Sequence, residues 1–493
     1  MDKVVARARP APGVDLRPVL FVVGLLTLIV GLAMVIPGAV GLALGTRNGP
    51  AFIAAAAITI AVGGFLTAGN RVPVPQMTLR QIYILTVLVW VTVPGFAALP
   101  FVFSELDLSY TEAYFEAMSG LTTTGSTVLV GLDTMPHSIL LWRGLLQWLG
   151  GIGIVVMSMA VLPLLRTGGM QLFHAESSDR HDKPLPRVAQ LVKVLLFAYL
   201  TLSGTCALAY WYAGMSGFDA VVHAMSTIST GGYSSHDLSF AYFASPTLEW
   251  LGTLFMLSGA LPFVLYIRAS RGDLALLRDQ QVRAFAFAVL ASTVLLAVWL
   301  ALRQNVAPLD ALRLAAFNAT SIITTTGFAS ADYNLWGGFA VAVFFYLTFI
   351  GGCTGSTAGA IKIFRFRVMW IVFGDYLFRR FSPHGVGRRS YDGRPLDDDV
   401  IEGVLAFAVI YALAVAVIAV GLGVMDLDLI TSLSGAATAL GNVGPGLGPI
   451  IGPVGNFATL PDSAMWLLAF GMLLGRLELF TVLVLLTPRF WRN

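Results

Sequence analysis

Charge is what this chain has least of. Only 12% of its 493 residues are Asp, Glu, Lys or Arg, too few to cover the surface of a water-soluble protein of this length. Cysteine is nearly absent. Cys206 and Cys353 both lie in apolar segments, which excludes a disulfide framework and a cysteine metal site. The six histidines show no metal-ligand spacing and no HExxH. There is no GxxxxGK(S/T) and no GxGxxG after a strand, so the chain carries no nucleotide motif of its own. No nucleophile–base constellation suggests an enzyme. The alternating segments of about ten residues that mark an outer-membrane barrel are missing too.

What is abundant is apolar sequence, 57% of the chain at a mean hydropathy of +0.80. Ten runs are long enough to cross about 30 Å of hydrocarbon as helices: 18–45, 51–70, 81–103, 138–165, 190–213, 247–267, 284–302, 338–372, 401–424 and 464–487. The N-terminal run is too long for a signal-peptide core and reads as retained. Net charge is only +3, but its placement is uneven. Lys3, Arg7, Arg9, Arg17, Arg71, Arg80, Arg180, Lys183, Arg268, Arg271, Arg379, Arg380, Arg388 and Arg389 fall on one side; Arg47, Arg143, Arg303 and Arg313 fall on the other. The positive-inside rule then puts both termini in the cytoplasm. The outer segments carry acids instead: Glu105, Asp107, Glu112, Asp219, Asp310, Asp426 and Asp428.

After an opening pair of helices the spans fall into four pairs, each enclosing a stretch too short to span. The four stretches align without gaps as Ala117–Gly125, Ala224–Gly232, Ala319–Gly327 and Ala436–Gly444, each flanked by small or hydroxylated residues. A lone Thr-Thr-Thr-Gly reads as a helix end or a packing face. Four copies in one register and on one side read as pore loops. Irregular backbone at membrane depth is tolerated where it lines a watery path, and rings of carbonyls replace the hydration shell of a cation there.

These residues resemble the Trk/Ktr/HKT superfamily of potassium transporters, in its TrkH/TrkG-type branch. The resemblance rests on LTTTGST (121–127), ISTGGYSSHD (228–237), TTTGFAS (324–330), GGCTGSTAGAIK (351–362) and GNVGPGLG (441–448), and covers nearly the whole chain. It implies an all-α polytopic membrane protein with a two-helix hairpin (1–79) and four helix–pore loop–helix repeats (80–180, 181–278, 279–395, 396–493) around a pseudo-fourfold pore. It further implies a potassium filter of Thr123, Thr124, Gly125, Thr230, Gly231, Gly232, Thr325, Thr326, Gly327, Asn442, Val443 and Gly444. No covalent cofactor is implied; K⁺ is the transported ion. The implied partners are the lipid bilayer, a second copy in a homodimer and a cytosolic nucleotide-binding TrkA-type ring, with no nucleic acid. The implied location is the bacterial inner membrane.

Gly351, Gly355 and Gly359 recur every four residues, the pattern of a small-residue packing face. With the resemblance they read as a break in the long 338–372 run, an intramembrane gate formed with Gly352, Thr354, Ser356 and Lys362. Arg476 lies inside the last run, where a charge needs water or a partner; the resemblance makes it a positive barrier below the filter, and a structural ion pair is the other reading. Glu478, two residues on, faces elsewhere on a helix and is read as the one acid well inside a span. His223 and His236 read as packing or vestibule residues. A sodium- or proton-coupled potassium symporter is the competing function. Such carriers usually place carboxylates at mid-membrane and pair their repeats with inverted topology.

Overall fold

The computed structural model describes residues 14–72, 77–160, 184–269, 272–273, 278–382 and 389–492. Lys3, Arg7, Arg9, Arg180, Lys183, Arg271 and Arg388 lie outside them. Among the described residues seven helices are long and apolar enough to span: Arg17–Ala43, Asn48–Gly69, Leu79–Phe103, His137–Met159, Val192–Tyr212, Gln280–Arg303 and Asp398–Val424. The first two form a tight hairpin. Gly24, Gly31 and Gly38 recur at a heptad spacing that keeps one seam facing the partner helix, and side chains of Leu66, Ile60 and Ile53 fill the space their missing Cβ atoms leave.

The other three expected spans are interrupted. The 247–267 run is Pro246–Ala260 followed by Phe263–Ala269, broken at Pro262, which lacks an N–H and clashes with the preceding turn. The 338–372 run is Gly338–Leu347 followed by Ile363–Phe381. The 464–487 run is Asp462–Arg476 followed by Phe480–Leu485, broken where Glu478 and Leu479 take φ of 59° and 44°. Only the second interruption is legible from the glycines.

Each of the four aligned stretches lies at the end of a short helix: Tyr110–Leu121, Gly217–Ile228, Pro308–Ile323 and Leu429–Gly441. The longest has 16 residues, about 24 Å at 1.5 Å per residue, short of the bilayer. Their starts are fixed locally. Ser109 and Glu112 form a reciprocal capping box, Ser216 caps the second helix, Pro308 opens the third and Asp428 accepts from Ile430 N and Thr431 N at 3.0 Å each. Such caps satisfy amides that a helix start leaves orphaned.

On the basic side, Ser390–Tyr391 pairs antiparallel with Arg394–Pro395 across Asp392 and Gly393, both at positive φ, the conformation an Asp-Gly hairpin turn requires. Arg389 beside it donates to Asp375 at 2.7 Å and so ties this hairpin to the end of Ile363–Phe381.

Candidate functional site

All four short helices end in the same motif. In the first, Thr123 N donates to Gly120 O at 3.0 Å and Thr124 N to Ser119 O at 2.8 Å, the paired bonds of a Schellman cap. The equivalents are Thr230 and Gly231, Thr325 and Thr326, and Asn442 and Val443. The left-handed residue of such a cap is usually Gly or Asn. Here it is Thr123 (φ 51°), Thr230 (52°), Thr325 (58°) and Asn442 (52°), so three copies hold a β-branched residue in a region that disfavours it. Backbone strain of this kind persists only where the surroundings over-determine it.

Two residues on, Gly125, Gly232, Gly327 and Gly444 all have positive φ, between 80° and 109°. Their missing side chains define a closed ring. A Cβ on Gly125 would overlap Gly231 O, one on Gly232 would overlap Thr326 O, one on Gly327 would overlap Val443 O, and one on Gly444 would lie 2.8 Å from Thr124 O. Each glycine therefore abuts the carbonyl just ahead of the next repeat's glycine, in the order one, two, three, four and back to one. Side chains staple the ring: Ser126 Oγ donates to Gly444 O at 2.9 Å and Asn442 Nδ2 to Thr124 Oγ1 at 3.0 Å. All twelve residues expected in the filter thus lie in four equivalent turns that meet at one place.

Residues 348–362 are irregular and bond to the short-helix ends that carry this ring, so the glycines there do not form a helical packing face. The loop's backbone is satisfied by its neighbours, as membrane depth demands. Gly351 N donates to Ile361 O at 2.9 Å, Cys353 N to Ala260 O at 3.0 Å and Thr357 N to Gly259 O at 3.3 Å. The last two acceptors are carbonyls freed by the break at Pro262. Ala360 N reaches Gly441 O at 2.8 Å, Gly359 N reaches Thr325 Oγ1 at 2.7 Å and Thr357 Oγ1 donates to Ile228 O at 3.0 Å. The loop is bonded to the ends of three short helices at once. Thr354 N bonds Gln281 at 3.0 Å, Ser356 Oγ bonds Cys353 O at 2.6 Å, Gly352 packs on Ala260 and Ala358, and Lys362 Nζ donates to Ala358 O.

Arg476 is 3% exposed and donates one hydrogen bond, to Thr357 O at 3.1 Å. Its Nε and second terminal nitrogen have no partner among the described residues. Glu478 pairs instead with Arg365, whose guanidinium also lies 3.7 Å over the Phe407 ring.

Above the ring a cleft is lined by the four glycines together with Arg143, Tyr233, His236 and Asp237. Asp237 accepts from Gly131 N and Leu132 N at 3.1 Å, and His236 bonds Asp133 at 2.6 Å, joining the first repeat to the second. Partial burial works to raise the Asp133 carboxyl, but the hydrogen bond from His236, its charge and the Asp237 amide outweigh it and hold the group below its ordinary value. His223 is buried, between Asp219 O and Ser234 Oγ at 2.9 Å each, so both histidines are packing and rim residues.

One sequence expectation fails and another is refined. Arg143, counted with the outer charges, is not in an exposed loop: it is 1% exposed near the start of His137–Ala160. Glu478 is not the one deep acid, because Glu116 is 0% exposed on the first short helix and pairs with Arg143 at 2.8 Å. The signal was available in the alignment: the residue before each anchoring alanine is Glu116, His223, Asn318 and Gly435, polar in three of the four copies.

The TrkH family model, described as a cation transport protein, matches residues 48–492. The chain is 49% identical over 479 residues to the Trk system potassium uptake protein TrkI of Halomonas elongata, covering 97% of each chain. It is 37% identical over 486 residues to the Trk system potassium uptake protein TrkH of Escherichia coli strain K12, covering 97% of this chain and 99% of that one. The crystal structure of the potassium transporter TrkH from Vibrio parahaemolyticus superposes with a TM-score of 0.90 at 35% identity, covering 97% of this chain and 100% of the other. A helical membrane protein with this ring of turns and these relatives belongs to the TrkH family of cation transport proteins, which are transporters and not enzymes.

Proposed function

We propose that the chain takes up potassium through one channel-like path whose filter is the ring of four turns. The observation that carries the reading is the cyclic contact of Gly125, Gly232, Gly327 and Gly444, each against the carbonyl preceding the next. Backbone oxygens replace a cation's water there, and the short helices direct their partial negative ends at it. The hairpin (1–79) and the four repeats (80–180, 181–278, 279–395, 396–493) are the units of this arrangement. Relatives named for potassium uptake support the choice of ion. The three most buried carboxylates among the described residues, Glu116, Glu249 and Glu478, are each held by an arginine, which favours a channel-like path over a proton- or sodium-coupled symporter. The test is the initial uptake of ⁸⁶Rb⁺ against ²²Na⁺ into proteoliposomes. We expect rubidium uptake to exceed sodium uptake by on the order of tenfold or more, about 1.4 kcal/mol of discrimination; equal uptake of the two ions rejects the filter.

Residues 348–362 with Lys362 and Arg476 form the gate in this reading, and a TrkA-type cytosolic ring docks on the basic side of a homodimer in the inner membrane. Thr357 is the cleanest probe of the gate because its hydroxyl joins the loop to Ile228 O and Gly259 O at 3.0 Å. Thr357→Val keeps the volume and removes the hydroxyl, whose one proton serves the two carbonyls, a bond worth about 1 kcal/mol. Resting ⁸⁶Rb⁺ flux per folded molecule should rise roughly severalfold. A lower melting temperature with unchanged flux assigns the loop to packing alone.

A further inference from the structure

The turns do not hold their shape unaided. Behind each, one polar side chain of the short helix reaches across to the strand leaving the glycine. In the first repeat Glu116 accepts from Thr127 Oγ1 and Val128 N at 3.0 Å. In the second, His223 Nε2 meets Ser234 Oγ at 2.9 Å. In the third, Asn318 accepts from Ser330 N at 3.2 Å and donates to Ser330 Oγ at 2.9 Å. In the fourth the helical position is Gly435, and the neighbouring Ser434 Oγ accepts from Leu447 N at 2.9 Å. Each tie lands two or three residues beyond the filter glycine. One structural device is thus repeated four times with four chemistries: carboxylate, imidazole, amide and hydroxyl.

The first tie differs in kind. Glu116 accepts from Arg143 Nε at 2.8 Å, and the Arg143 fork continues to Thr127 Oγ1 at 3.1 Å and to Ser234 O at 2.8 Å. Arg143 also lies 4.0 Å over the Tyr233 ring, whose hydroxyl donates to Glu116 O at 2.8 Å. One guanidinium therefore holds the strands after Gly125 and Gly232 at a fixed separation. Charge-assisted bonds from a planar, pre-organised fork are shorter and stronger than neutral ones, and both groups are almost fully buried. A merely stabilising role explains this poorly, since a buried ion pair is seldom more stable than apolar packing of the same volume.

We propose that Glu116 and Arg143 are positioning residues that set the width of the ring between the first two repeats, and through it the discrimination between potassium and sodium. The proposal rests on the filter reading above. Arg143→Lys keeps the charge beside Glu116 but cannot span Thr127 and Ser234 together. In proteoliposomes the full-length variant should lose about tenfold of its ⁸⁶Rb⁺ over ²²Na⁺ discrimination, the worth of one hydrogen bond to a charged group, while total cation flux per folded molecule persists. Thr127→Val removes the hydroxyl shared by both groups and leaves the pair intact; it should lose roughly threefold, and Thr127→Ser should retain the wild-type ratio. If Arg143→Lys does not fold, Thr127→Val decides. An unchanged ratio in the folding variants, with only a lower melting temperature, overturns the proposal. Gly232→Ala run alongside separates the two levels: if it alters the ratio while these variants do not, the filter stands and the buttress falls. If it too leaves the ratio unchanged, the filter reading fails and this proposal with it.

Discussion

Gly232→Ala should lower the preference for rubidium over sodium by on the order of tenfold to a hundredfold, about 1.4–2.7 kcal/mol, in protein that still inserts. Two independent costs meet at this residue. Its φ of 80° is open to glycine but strains an L-residue by about 1–2 kcal/mol. Its Cβ would also occupy the place of Thr326 O, so the peptide ahead of Gly327 has to turn. A displaced peptide changes the ring in the third repeat although the mutation lies in the second. Gly444→Ala is the graded control. Its φ of 109° strains an L-residue too, but its Cβ would lie 2.8 Å from Thr124 O, a far smaller overlap with backbone than at Gly232, so its loss of discrimination should be the smaller. The measurement is competitive ⁸⁶Rb⁺ and ²²Na⁺ uptake normalised to folded protein. Equal effects of the two substitutions, or none from either, contradict the ring.

Much of this arrangement was legible because it is written locally and four times. The constant Ala-to-Gly interval marks four helix ends in one register, and the short helices of the structure end there. The glycines at 351, 355 and 359 read by themselves as a packing face and, with the family resemblance, as a broken helix; the structure leaves no room for a Cβ where Gly351 meets Gly359 and Gly359 meets Gly441. What stayed hidden depends on partners distant in sequence. The carbonyls released at Pro262 are useful only because Cys353 and Thr357 receive them, so an apolar run that reads as one helix is two. Arg143 reads as an outer-edge charge because its counter-ion, Glu116, sits on a helix too short to count as a span. Glu478 is visible as a buried acid, but its partner Arg365 is 113 residues away. Ion pairs in a bundle are tertiary facts, and periodicity carries no trace of them.

Arg476→Ala should raise cation flux by on the order of a hundredfold. The guanidinium is bonded to Thr357 O of the loop, and its nearest acid in sequence, Glu478, is taken by Arg365. An uncompensated charge at that depth persists only where water or an ion path solvates it. For a cation passing about 5 Å away, repulsion amounts to roughly 3 kcal/mol at an effective dielectric near 20. Removing a barrier of about that height raises the rate by on the order of two powers of ten when this step limits flux. Arg476→Lys should stay close to the wild-type rate, since the charge and not the fork geometry repels the ion. If Arg476 serves instead as a strut for the loop, the order reverses: Ala lowers the melting temperature, and flux per folded molecule falls or stays constant. Initial ⁸⁶Rb⁺ uptake of the three proteins, normalised to folded material, separates the cases, and a rate in Arg476→Ala at or below wild type rejects the barrier.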